Sequence, residues 1–373
     1  MHILHLTETF SPRIGGVERH VLHLSQELVR QGHQVSVLAR SHDPSLPVRE
    51  RVGSIEVRRL SPARAAGAPV RPAWTLLLPH LDLLRGADLV HVHDHTPFFR
   101  TYFPFRFLLP RTPVFMTFHG HEGNFPPARR DVIARRCAAR LVRGTLCVGH
   151  YVGKWYGTRS HAVTYGAVEA RETEGPGLPP APGDQNAGGP EARGAIVFLG
   201  RLEPDTGILS FLQGLSLMPR KAGARPGLVV CGEGSLEREV RDFAARKSLN
   251  VDLRGIVPDP LHWVRQSRFV FASGYLSMLE GMICRRLVFG CYDNELKHDY
   301  WGMLPNAREM MVICGSPEEL AWRFQEVLDR PDLEKALVER AWEFARLQTW
   351  ERLAGLYLDL YRSGILMRKA FSS

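Results

Sequence analysis

The feature of this sequence that most constrains its fold is a regular alternation of strand-like and helix-like segments. HILHLT, at residues 2–7, has the pattern of a buried strand, and the amphipathic helix VERHVLHLSQELVRQG follows it directly. HQVSVLAR has the pattern of the next strand, so the three segments predict a βαβ unit that opens a parallel sheet. The alternation continues as far as TLCVG, which predicts a doubly wound α/β first half.

A second series of alternating segments begins near residue 195. Between the two series, residues 170–194 are rich in Pro and Gly and lack periodicity, which predicts a linker or long surface loop. We therefore expect domains at 1–169 and 195–345, followed by a C-terminal helix over 346–373 that packs back on the first domain. Open parallel sheets bind ligands at the carboxyl ends of their strands, so we expect the functional residues there, in a cleft between the domains.

Composition and charge narrow the class of protein. A chain of 373 residues with 44% hydrophobic and 23% charged residues is long enough for two globular domains. The formal net charge of +9 favours anionic partners, namely nucleotide phosphates, nucleic acid or an acidic membrane surface. The six cysteines have no metal-binding spacing, and no segment resembles a signal peptide or a membrane span. We therefore expect free buried thiols in a cytoplasmic protein.

Two candidate sites follow strands of the first half. Gly15 and Gly16 lie between the first strand and its helix, where paired glycines let backbone N–H groups approach an anion; a tight turn is the alternative. His119 ends the strand in TFHG, where it can donate to a substrate hydroxyl or a developing oxyanion, unless it only caps the strand. With the histidines of HVHDH at 91–95 it also allows a metal site, but neither cluster has the H-E-x-x-H spacing, and we predict none.

The second half has a similar arrangement around an arginine. Arg201 directly follows a strand and a glycine in FLGRLEPDTG, and Gly232 and Gly234 lie between a strand and a helix in VVCGEGSLERE. An arginine beside glycine-lined backbone donors is suited to a diphosphate. The alternative for Arg201 is a surface ion pair with Glu203.

Glu280 is the most informative carboxylate of the second half. It lies in FASGYLSMLEGM, on a short helix predicted after a strand, at the margin of an apolar stripe formed by Leu276, Leu279 and Ile283. A carboxylate in that position needs a partner. The partner is either a backbone N–H or a nearby arginine such as Arg285 or Arg286, or it is a ligand.

The order of these segments resembles that of the retaining glycosyltransferases of family four. The segments that carry the resemblance are GGVERHVLHLSQELVRQGHQVSVL, TFHG, GRLEPDTG, VVCGEGSLEREV and the strand and helix that contain LEGM. The resemblance implies the GT-B fold, in which two facing Rossmann-like domains with doubly wound parallel sheets leave a cleft between them. It also implies that 1–169 is the acceptor domain and 195–345 the nucleotide-sugar domain.

The resemblance further implies roles for the candidate residues. Gly15 and Gly16 match a glycine pair near the donor phosphate and acceptor, His119 a histidine that contacts the transferred sugar, and Arg201 a diphosphate-binding arginine. Glu280 matches the second glutamate of an E-x7-E motif, which holds the ribose hydroxyls of the donor. We predict His119, Arg201 and Glu280 as catalytic residues, and as substrate-binding residues Gly15, Gly16, Gly232, Gly234, Gly274, Tyr275, Leu276, Asn294 and Lys297.

Two positions depart from the family pattern. Thr206 stands where a phosphate-binding lysine is usual, five residues after the arginine, and Ala272 stands in place of the first glutamate of E-x7-E. In the following segment YDNELKHDYWG, Lys297 is a candidate to replace the missing cation and Asn294 a candidate to contact a sugar.

These observations predict an enzyme that moves a sugar from a nucleoside diphosphate sugar to a hydroxyl acceptor on a glycan, glycolipid or small molecule, with retention at the anomeric carbon. No cofactor beyond the donor substrate is expected. The alternative, favoured by Thr206 and Ala272, is a degenerate member that binds nucleotide or glycan without turnover. Nucleic acid is not an expected partner, because no recognised nucleic-acid-binding module is present and the arginines are dispersed.

An aromatic segment suggests one further partner. In residues 97–113, PFFRTYFPFRFLLPRTP, five phenylalanines and a tyrosine alternate with Arg100, Arg106 and Arg111. Rings that reach acyl chains and arginines that meet anionic headgroups are typical of a membrane interface, whereas the alternative is an ordinary buried helix and loop. The composition thus raises peripheral contact with the inner face of an anionic membrane as a hypothesis.

Overall fold

The computed structural model describes residues 1–60, 72–120, 125–169, 196–218 and 226–370. The predicted linker at 170–194 lies outside these residues. The chain forms two compact units, which we call unit 1 and unit 2. Unit 1 consists of Met1–Thr164 together with Trp350–Ser373, and unit 2 consists of Tyr165–Thr349.

Unit 1 is built on an 8-stranded sheet in the order β3-β4-β2-β1-β5-β6-β7-β8. Its strands are parallel except for the antiparallel pair β3 and β4. Their bounds are β1 His2–Thr7, β2 Gln34–Arg40, β3 Arg49–Val52, β4 Ile55–Leu60, β5 Leu89–His93, β6 Val114–Phe118, β7 Gly144–Val148 and β8 Ala162–Thr164. The hairpin of β3 and β4 was not predicted, because its exposed, charged first strand lacks a clear apolar alternation.

The helices of unit 1 are mostly short. The two longest are α1, Gly16–Arg30, and α15, Trp350–Ala370, which contact each other. The others are α2 Leu81–Gly86, α3 His95–Pro97, α4 Phe105–Leu108, α5 Arg129–Leu141 and α6 Tyr151–Tyr156, with a 3₁₀ helix at Ala73–His80 and a π-helical turn at Phe98–Tyr102.

Unit 2 is built on a fully parallel, 6-stranded sheet in the order β11-β10-β9-β12-β13-β14. Its strands are β9 Ile196–Leu199, β10 Leu228–Cys231, β11 Val251–Gly255, β12 Phe269–Ala272, β13 Leu287–Cys291 and β14 Val312–Cys314. Its helices are α7 Ile208–Leu217, α8 Glu237–Lys247, α9 Pro260–Gln266, α10 Tyr275–Ile283, α11 Glu295–Gly302, α12 Ala307–Met310, α13 Pro317–Asp329 and α14 Pro331–Ala345, with a 3₁₀ turn at Pro204–Thr206.

These two parallel-sheet units confirm the fold class predicted from the alternation. From Pro317 onwards the chain forms three successive helices, α13, α14 and α15. The cysteines differ from the prediction in one respect: all six are free, but Cys137 is exposed, whereas the other five are buried as expected.

Aromatic side chains form the centre of the unit 2 core. The rings of Phe211 and Phe271 stack with centroids 4.2 Å apart, so α7 is fixed against the middle strand β12. Phe324 of α13 packs on Phe289 of β13 at 5.2 Å, and all four residues belong to one buried cluster. Offset and edge-to-face ring packing of this kind stabilises a core beyond the simple burial of its area.

Replacing Phe271 by Ala should therefore lower the free energy of unfolding of unit 2 by about 3–5 kcal/mol, because the cavity cannot be filled by the surrounding rings. Urea unfolding measures this difference. Trp322→Ala is the matched control, because Trp322 is also aromatic but 59% exposed, and it should change stability little. Equal losses in the two variants would contradict the assigned core.

Candidate functional site

Parallel strand pairing brings several histidines of unit 1 to one end of the sheet. His5 of β1 is in register with His91 of β5, and His93 of β5 is in register with Thr117 of β6. Residues two apart on a strand share a face, so His91 and His93 lie on the same face. His119 follows β6 directly at the carboxyl end.

Three of these imidazoles form a continuous hydrogen-bonded row. Nδ1 of His5 lies 2.9 Å from Nε2 of His93, and Nδ1 of His93 lies 2.8 Å from Nε2 of His119. His5 and His93 are buried, and His119 is partly exposed at the strand end. The predicted functional histidine is thus connected to the interior of the sheet through His93.

Helix α15 supplies a second row of hydrogen bonds beside the first. The hydroxyl of Tyr361 lies 3.0 Å from Nδ1 of His91, whose Nε2 lies 2.8 Å from Oγ1 of Thr117. Thr117 Oγ1 is 2.8 Å from the hydroxyl of Tyr357, which is 2.9 Å from Nε2 of His20 on α1. The sequence analysis did not predict a role for Tyr357, Tyr361, His5 or His20. The available signals were the last histidine of HILH, His5, and that of VERH, His20.

Burial keeps these histidines uncharged. It lowers the pKa of His5 and of His119 to about 3, and the neighbouring His20 imidazole for His5 and Arg135 guanidinium for His119 lower these pKa values further. The pKa values of His20, His91 and His93 lie well below the ordinary value for the same reason, burial first and neighbouring imidazoles second. In the part of the chain that the structure describes, no group of three or more His, Cys, Asp or Glu is arranged to hold a metal ion.

A charge pair between the buried Arg135 and the partly exposed Asp94 lies beside the first two residues after β6. Asp94, whose φ of 71° is unusual for a residue other than glycine, accepts a hydrogen bond from the backbone N–H of His119 at 3.2 Å. Arg135 of α5 lies 3.6 Å from Asp94 and donates to the carbonyl oxygen of Gly120 at 2.5 Å. Burial raises the pKa of Asp94, although the charge of Arg135 opposes this change. The pair therefore holds the backbone of His119 and Gly120 in place.

The predicted glycine pair lies at the start of α1. Gly15 caps the helix in an extended conformation and Gly16 is its first residue. The carboxylate of Glu18 accepts a hydrogen bond from the hydroxyl of Thr9 and lies 3.8 Å from Nε of Arg13. An acidic side chain in the first turn of a helix is favourable because of the positive end of the helix dipole.

Arg201 of unit 2 is the most exposed of the predicted catalytic residues. Its side chain is 65% exposed and forms an ion pair with Asp205 at 3.1 Å. The alternative that we considered, an ion pair with Glu203, is wrong about the partner. The Glu203 carboxylate instead accepts hydrogen bonds from the backbone N–H and the hydroxyl of Ser235 at 3.1 and 2.6 Å.

Close backbone approach explains the glycines beside Arg201. Gly200 and Gly232 both have a φ of 153°, and a Cβ atom on Gly232 would overlap the carbonyl oxygen of Gly200. A Cβ on Gly234 would overlap the carbonyl group of Leu202. The loops after β9 and β10 therefore lie directly against each other, and the backbone around Arg201 is held in one conformation.

Glu280 lies on a helix that is buried on nearly every side. Its exposed fraction is 4%, and along α10 only Leu276 is partly exposed. The predicted stripe with Glu280 at its margin is therefore wrong, because all seven residues from Ser277 to Ile283 are buried. A buried carboxylate needs compensation by hydrogen bonds or by a cation, so the environment of Glu280 restricts what can bind there.

The start of α10 is organised by hydroxyl groups. The hydroxyl of Ser277 accepts from the backbone N–H of Ser273 and of Gly274 at 3.1 and 3.2 Å. The backbone N–H of Tyr275 donates to the hydroxyl of Tyr300 at 2.7 Å, and the two tyrosine rings stack at 4.1 Å. Of the two residues predicted to bind substrate here, Gly274 is thus fixed to the first turn of α10 and Tyr275 is fixed against α11.

Lys297 is a buried cation at the start of α11. Its Nζ donates to the carbonyl oxygen of Ser273 at 3.1 Å and lies 4.4 Å from the centroid of the Tyr300 ring. Burial lowers its pKa to about 8, and the nearby carboxylates of Asp205 and Asp293 limit the decrease. It lines a small cavity of unit 2 together with Pro204, Asp205, Gly207, Ser210, Cys291, Tyr292 and Asp293.

Two other polar residues near the cavity have local structural roles. Oδ1 of Asn294 accepts from the backbone N–H of Lys297 at 2.9 Å, so the Asn294 side chain caps α11. The hydroxyl of Thr206 donates to the carbonyl oxygen of Glu203 at 2.7 Å and closes the turn before α7. Thr206 is buried, and Ala272 ends β12.

Comparison with known proteins gives the same architecture. Residues 14–162 match the family model of Glycosyltransferase Family 4. The chain is similar to sucrose-phosphate synthase from Thermosynechococcus elongatus, with a TM-score of 0.73 and 14% identity over 98% of this chain and 100% of that one. It is similar to HepE from Anabaena, with a TM-score of 0.71 and 14% identity over 97% and 100% of the two chains.

A glycosyltransferase from Rickettsia africae has a TM-score of 0.68 and 15% identity over 98% of each chain. None of the curated proteins matches the sequence. The family match and the shared fold confirm the predicted resemblance to family four and the predicted GT-B fold. Among the described helices, none has the length and apolar character needed to cross a bilayer.

Acidification should destabilise unit 1 through its buried histidines. Their folded-state pKa values are lower than the ordinary value of 6.5, so the unfolded chain binds protons first as the pH falls below 6.5. The contribution of the neutral histidines to the free energy of unfolding is complete above pH 6.5. It is lost as the pH falls toward about 3, by at most about 1.4 kcal/mol per pH unit for each histidine. Urea unfolding at about pH 7.5 and about pH 5.5 measures the difference. His5→Asn should reduce the pH dependence, and an unchanged dependence would contradict this assignment.

Proposed function

We propose that this chain is a nucleotide-sugar-dependent glycosyltransferase that transfers a sugar to a hydroxyl acceptor with retention at the anomeric carbon. The match of residues 14–162 to Glycosyltransferase Family 4 and the shared fold support this proposal. The observation that carries the proposal is the arrangement at the carboxyl ends of the unit 2 strands. There Arg201 and the buried Lys297 place two positive charges beside the closely packed glycine loops. Such an arrangement is suited to a diphosphate.

Lys297 takes the place of the cation that Thr206 does not supply. Thr206 directs its hydroxyl to the carbonyl oxygen of Glu203, whereas Lys297 lines the cavity formed with Asp205 and Gly207, the residues on either side of Thr206. In the absence of ligand the charges of Arg201 and Lys297 are partly balanced by Asp205. A bound diphosphate competes with that carboxylate for both cations.

The proposed reaction needs no protein nucleophile. The acceptor oxygen forms a bond to the anomeric carbon as the bond from that carbon to the diphosphate oxygen breaks. The acceptor proton passes to the departing diphosphate oxygen, and Arg201 and Lys297 stabilise the negative charge that develops there. In this scheme His119 orients the transferred sugar and Glu280 accepts hydrogen bonds from the ribose hydroxyls.

The first donor to test is a uridine diphosphate sugar. HepE from Anabaena has been solved in complex with UDP, with UDP and glucose, and with UDP-glucose. A thermal-shift screen of nucleoside diphosphate sugars, beginning with UDP-glucose, should find a stabilising donor. Product analysis with hydroxyl acceptors should then give a glycoside with the anomeric configuration of the donor. An inverted product would exclude retention.

The same screen tests a binding protein without turnover as the second candidate. Two observations favour this candidate: Thr206 serves a structural turn, and Ala272 has no carboxylate to contact the donor sugar. A donor that binds without transfer to any acceptor and without slow hydrolysis would establish it.

Two substitutions separate the predicted diphosphate and ribose contacts. Arg201→Ala should weaken binding of UDP by about 1–3 kcal/mol, the range for a charged hydrogen bond, and should leave uridine binding almost unchanged. Glu280→Gln should weaken UDP and uridine alike, because both carry the ribose. Isothermal titration calorimetry with the two ligands measures these effects. Equal losses for both ligands in Arg201→Ala would remove Arg201 from the diphosphate site.

The lowered pKa of Lys297 predicts a pH dependence of diphosphate binding. The free lysine loses its charge above about pH 8, whereas a bound diphosphate favours the charged form and raises its pKa. Affinity for UDP should therefore be constant near neutral pH and fall by up to about tenfold per pH unit above 8. The Lys297→Met variant should bind UDP weakly and without this dependence, and uridine should show none. If the affinity for UDP still falls above pH 8 in Lys297→Met, the group that titrates is not Lys297.

We also propose peripheral contact with an anionic membrane through unit 1. Phe107 and Leu108, adjacent on α4, are 60% and 67% exposed, whereas Phe98, Tyr102 and Phe105 of the same segment are buried. Nε of Arg106 donates to the carbonyl oxygen of Leu141 at 2.8 Å, which places this apolar pair beside the end of α5. The exposed face of α5 carries Arg129, Arg130, Ile133, Arg136 and Arg140.

The apolar pair and the arginines are the components of an interfacial site. Phe107→Ser with Leu108→Ser should abolish co-sedimentation with phosphatidylserine vesicles at low ionic strength, and Arg130→Glu with Arg140→Glu should make it more sensitive to salt. Trp322→Ser, at an equally exposed apolar position of unit 2, is the control. Arg100 and Arg106 are less suitable for substitution, because Arg100 pairs with Glu8 and Arg106 donates to the backbone of Leu141 within the protein. Sedimentation that survives the first double substitution would exclude the contact.

A further inference from the structure

In the row of His5, His93 and His119, the groups at the two ends determine which imidazole donates and which accepts in each hydrogen bond. Burial keeps all three imidazoles neutral, and a neutral imidazole has one N–H donor and one acceptor nitrogen. Both nitrogens of His93 are engaged, Nε2 with His5 and Nδ1 with His119. If His93 donates to one neighbour it must accept from the other, so the row has only two possible proton arrangements.

The two arrangements differ in the atoms left at the ends. In one, Nδ1–H of His5 donates to His93, Nδ1–H of His93 donates to His119, and His119 carries its proton on Nδ1. In the other, every proton lies on Nε2, including that of His5. Nε2 of His5 is buried and has no hydrogen-bond partner among the described residues, so the second arrangement would leave an N–H enclosed without an acceptor. Buried N–H groups without a partner are rarer than buried acceptors without one.

We propose that His5 and His93 are positioning residues that hold His119 in the tautomer with the proton on Nδ1. In the first arrangement, the unpartnered lone pair is on Nε2 of the buried His5, and the remaining N–H is on the partly exposed His119. Nε2 of His119 is engaged by His93, so Nδ1 is the nitrogen that can donate to a ligand. The tautomer of a histidine is set by the hydrogen bond that its other nitrogen makes.

This assignment specifies what His119 does in the proposed reaction, on which it rests. With its proton on Nδ1, His119 donates a hydrogen bond to an oxygen of the transferred sugar and cannot take a proton at that atom. It orients the sugar and is not the base that deprotonates the acceptor. The proton of the acceptor then has no route to His119, which agrees with its transfer to the diphosphate oxygen.

The second row of unit 1 provides a matched control. Both nitrogens of His91 are engaged by Tyr361 and Thr117, and its ring lies 5.0 Å from that of His93 without a hydrogen bond between them. His91 is as buried as His93 and lies on the same strand, but its hydrogen bonds belong to the second row. A substitution there disturbs the same part of the core without interrupting the path from His5 to His119.

Nitrogen-15 NMR of the full chain labelled at histidine tests the proposal directly, since the protonated and bare ring nitrogens have different chemical shifts. His119→Asn identifies the signals of His119. In the unsubstituted protein, Nδ1 of His119 should be protonated and Nε2 bare. His93→Leu should give a mixture of both tautomers, and His93→Asn, whose amide can still donate, should restore the first. His91→Asn should leave the His119 signals unchanged.

A proton on Nε2 of His119 in the unsubstituted protein would overturn the proposal, as would an unchanged tautomer in His93→Leu. If His93→Leu does not fold, His5→Leu replaces it, and the spectrum of the unsubstituted protein remains decisive. In binding assays His93→Leu should weaken the nucleotide sugar several-fold relative to the nucleoside diphosphate, because His119 contacts only the sugar. Failure of every donor to bind would remove the proposed function but would not alter the NMR result, so the two failures are distinguishable.

Discussion

The register of the parallel strands in unit 1 is the constraint on which its site depends. Pairing of His5 with His91, and of His93 with Thr117, places the imidazoles of β1 and β5 in layers that hydrogen bonds can link. A shift of one residue in either pair would turn one set of side chains to the opposite face of the sheet. The distances of 2.8 and 2.9 Å within the row therefore depend on backbone pairing rather than on any flexible contact.

Unit 2 reaches a comparable rigidity by a different route. Its loops after β9 and β10 are in contact because neither Gly200 nor Gly232 has a side chain, and its helix α10 is fixed by the hydroxyls of Ser277 and Tyr300. The side chain of Arg201 extends from this framework and is 65% exposed. A rigid backbone that carries a permanently charged, exposed side chain can meet a diphosphate with little reorganisation.

Local patterns in the sequence predicted the elements and the strand-end residues, but not the contacts between distant segments. His119, Arg201 and Lys297 were predicted as site residues because each comes after a predicted strand. Tyr357 was not found, because it meets Thr117 across 240 residues and aromatic residues on a helix give no indication of their partners. The partner of Arg201 and the full enclosure of Glu280 were also missed, because side-chain pairing and burial depend on tertiary packing that periodicity does not describe.

The membership of α15 in unit 1 has a consequence for the order in which the protein forms during synthesis. Unit 2 is a continuous segment, Tyr165–Thr349, whereas unit 1 needs both Met1–Thr164 and the helix that begins at Trp350. On the ribosome, the N-terminal segment emerges first but cannot cover His91 and Thr117 until Tyr357 and Tyr361 have been translated. We infer that Met1–Thr164 is synthesised before unit 2 but completes its folding after unit 2. The sheet face that carries its histidines stays hydrated while unit 2 folds.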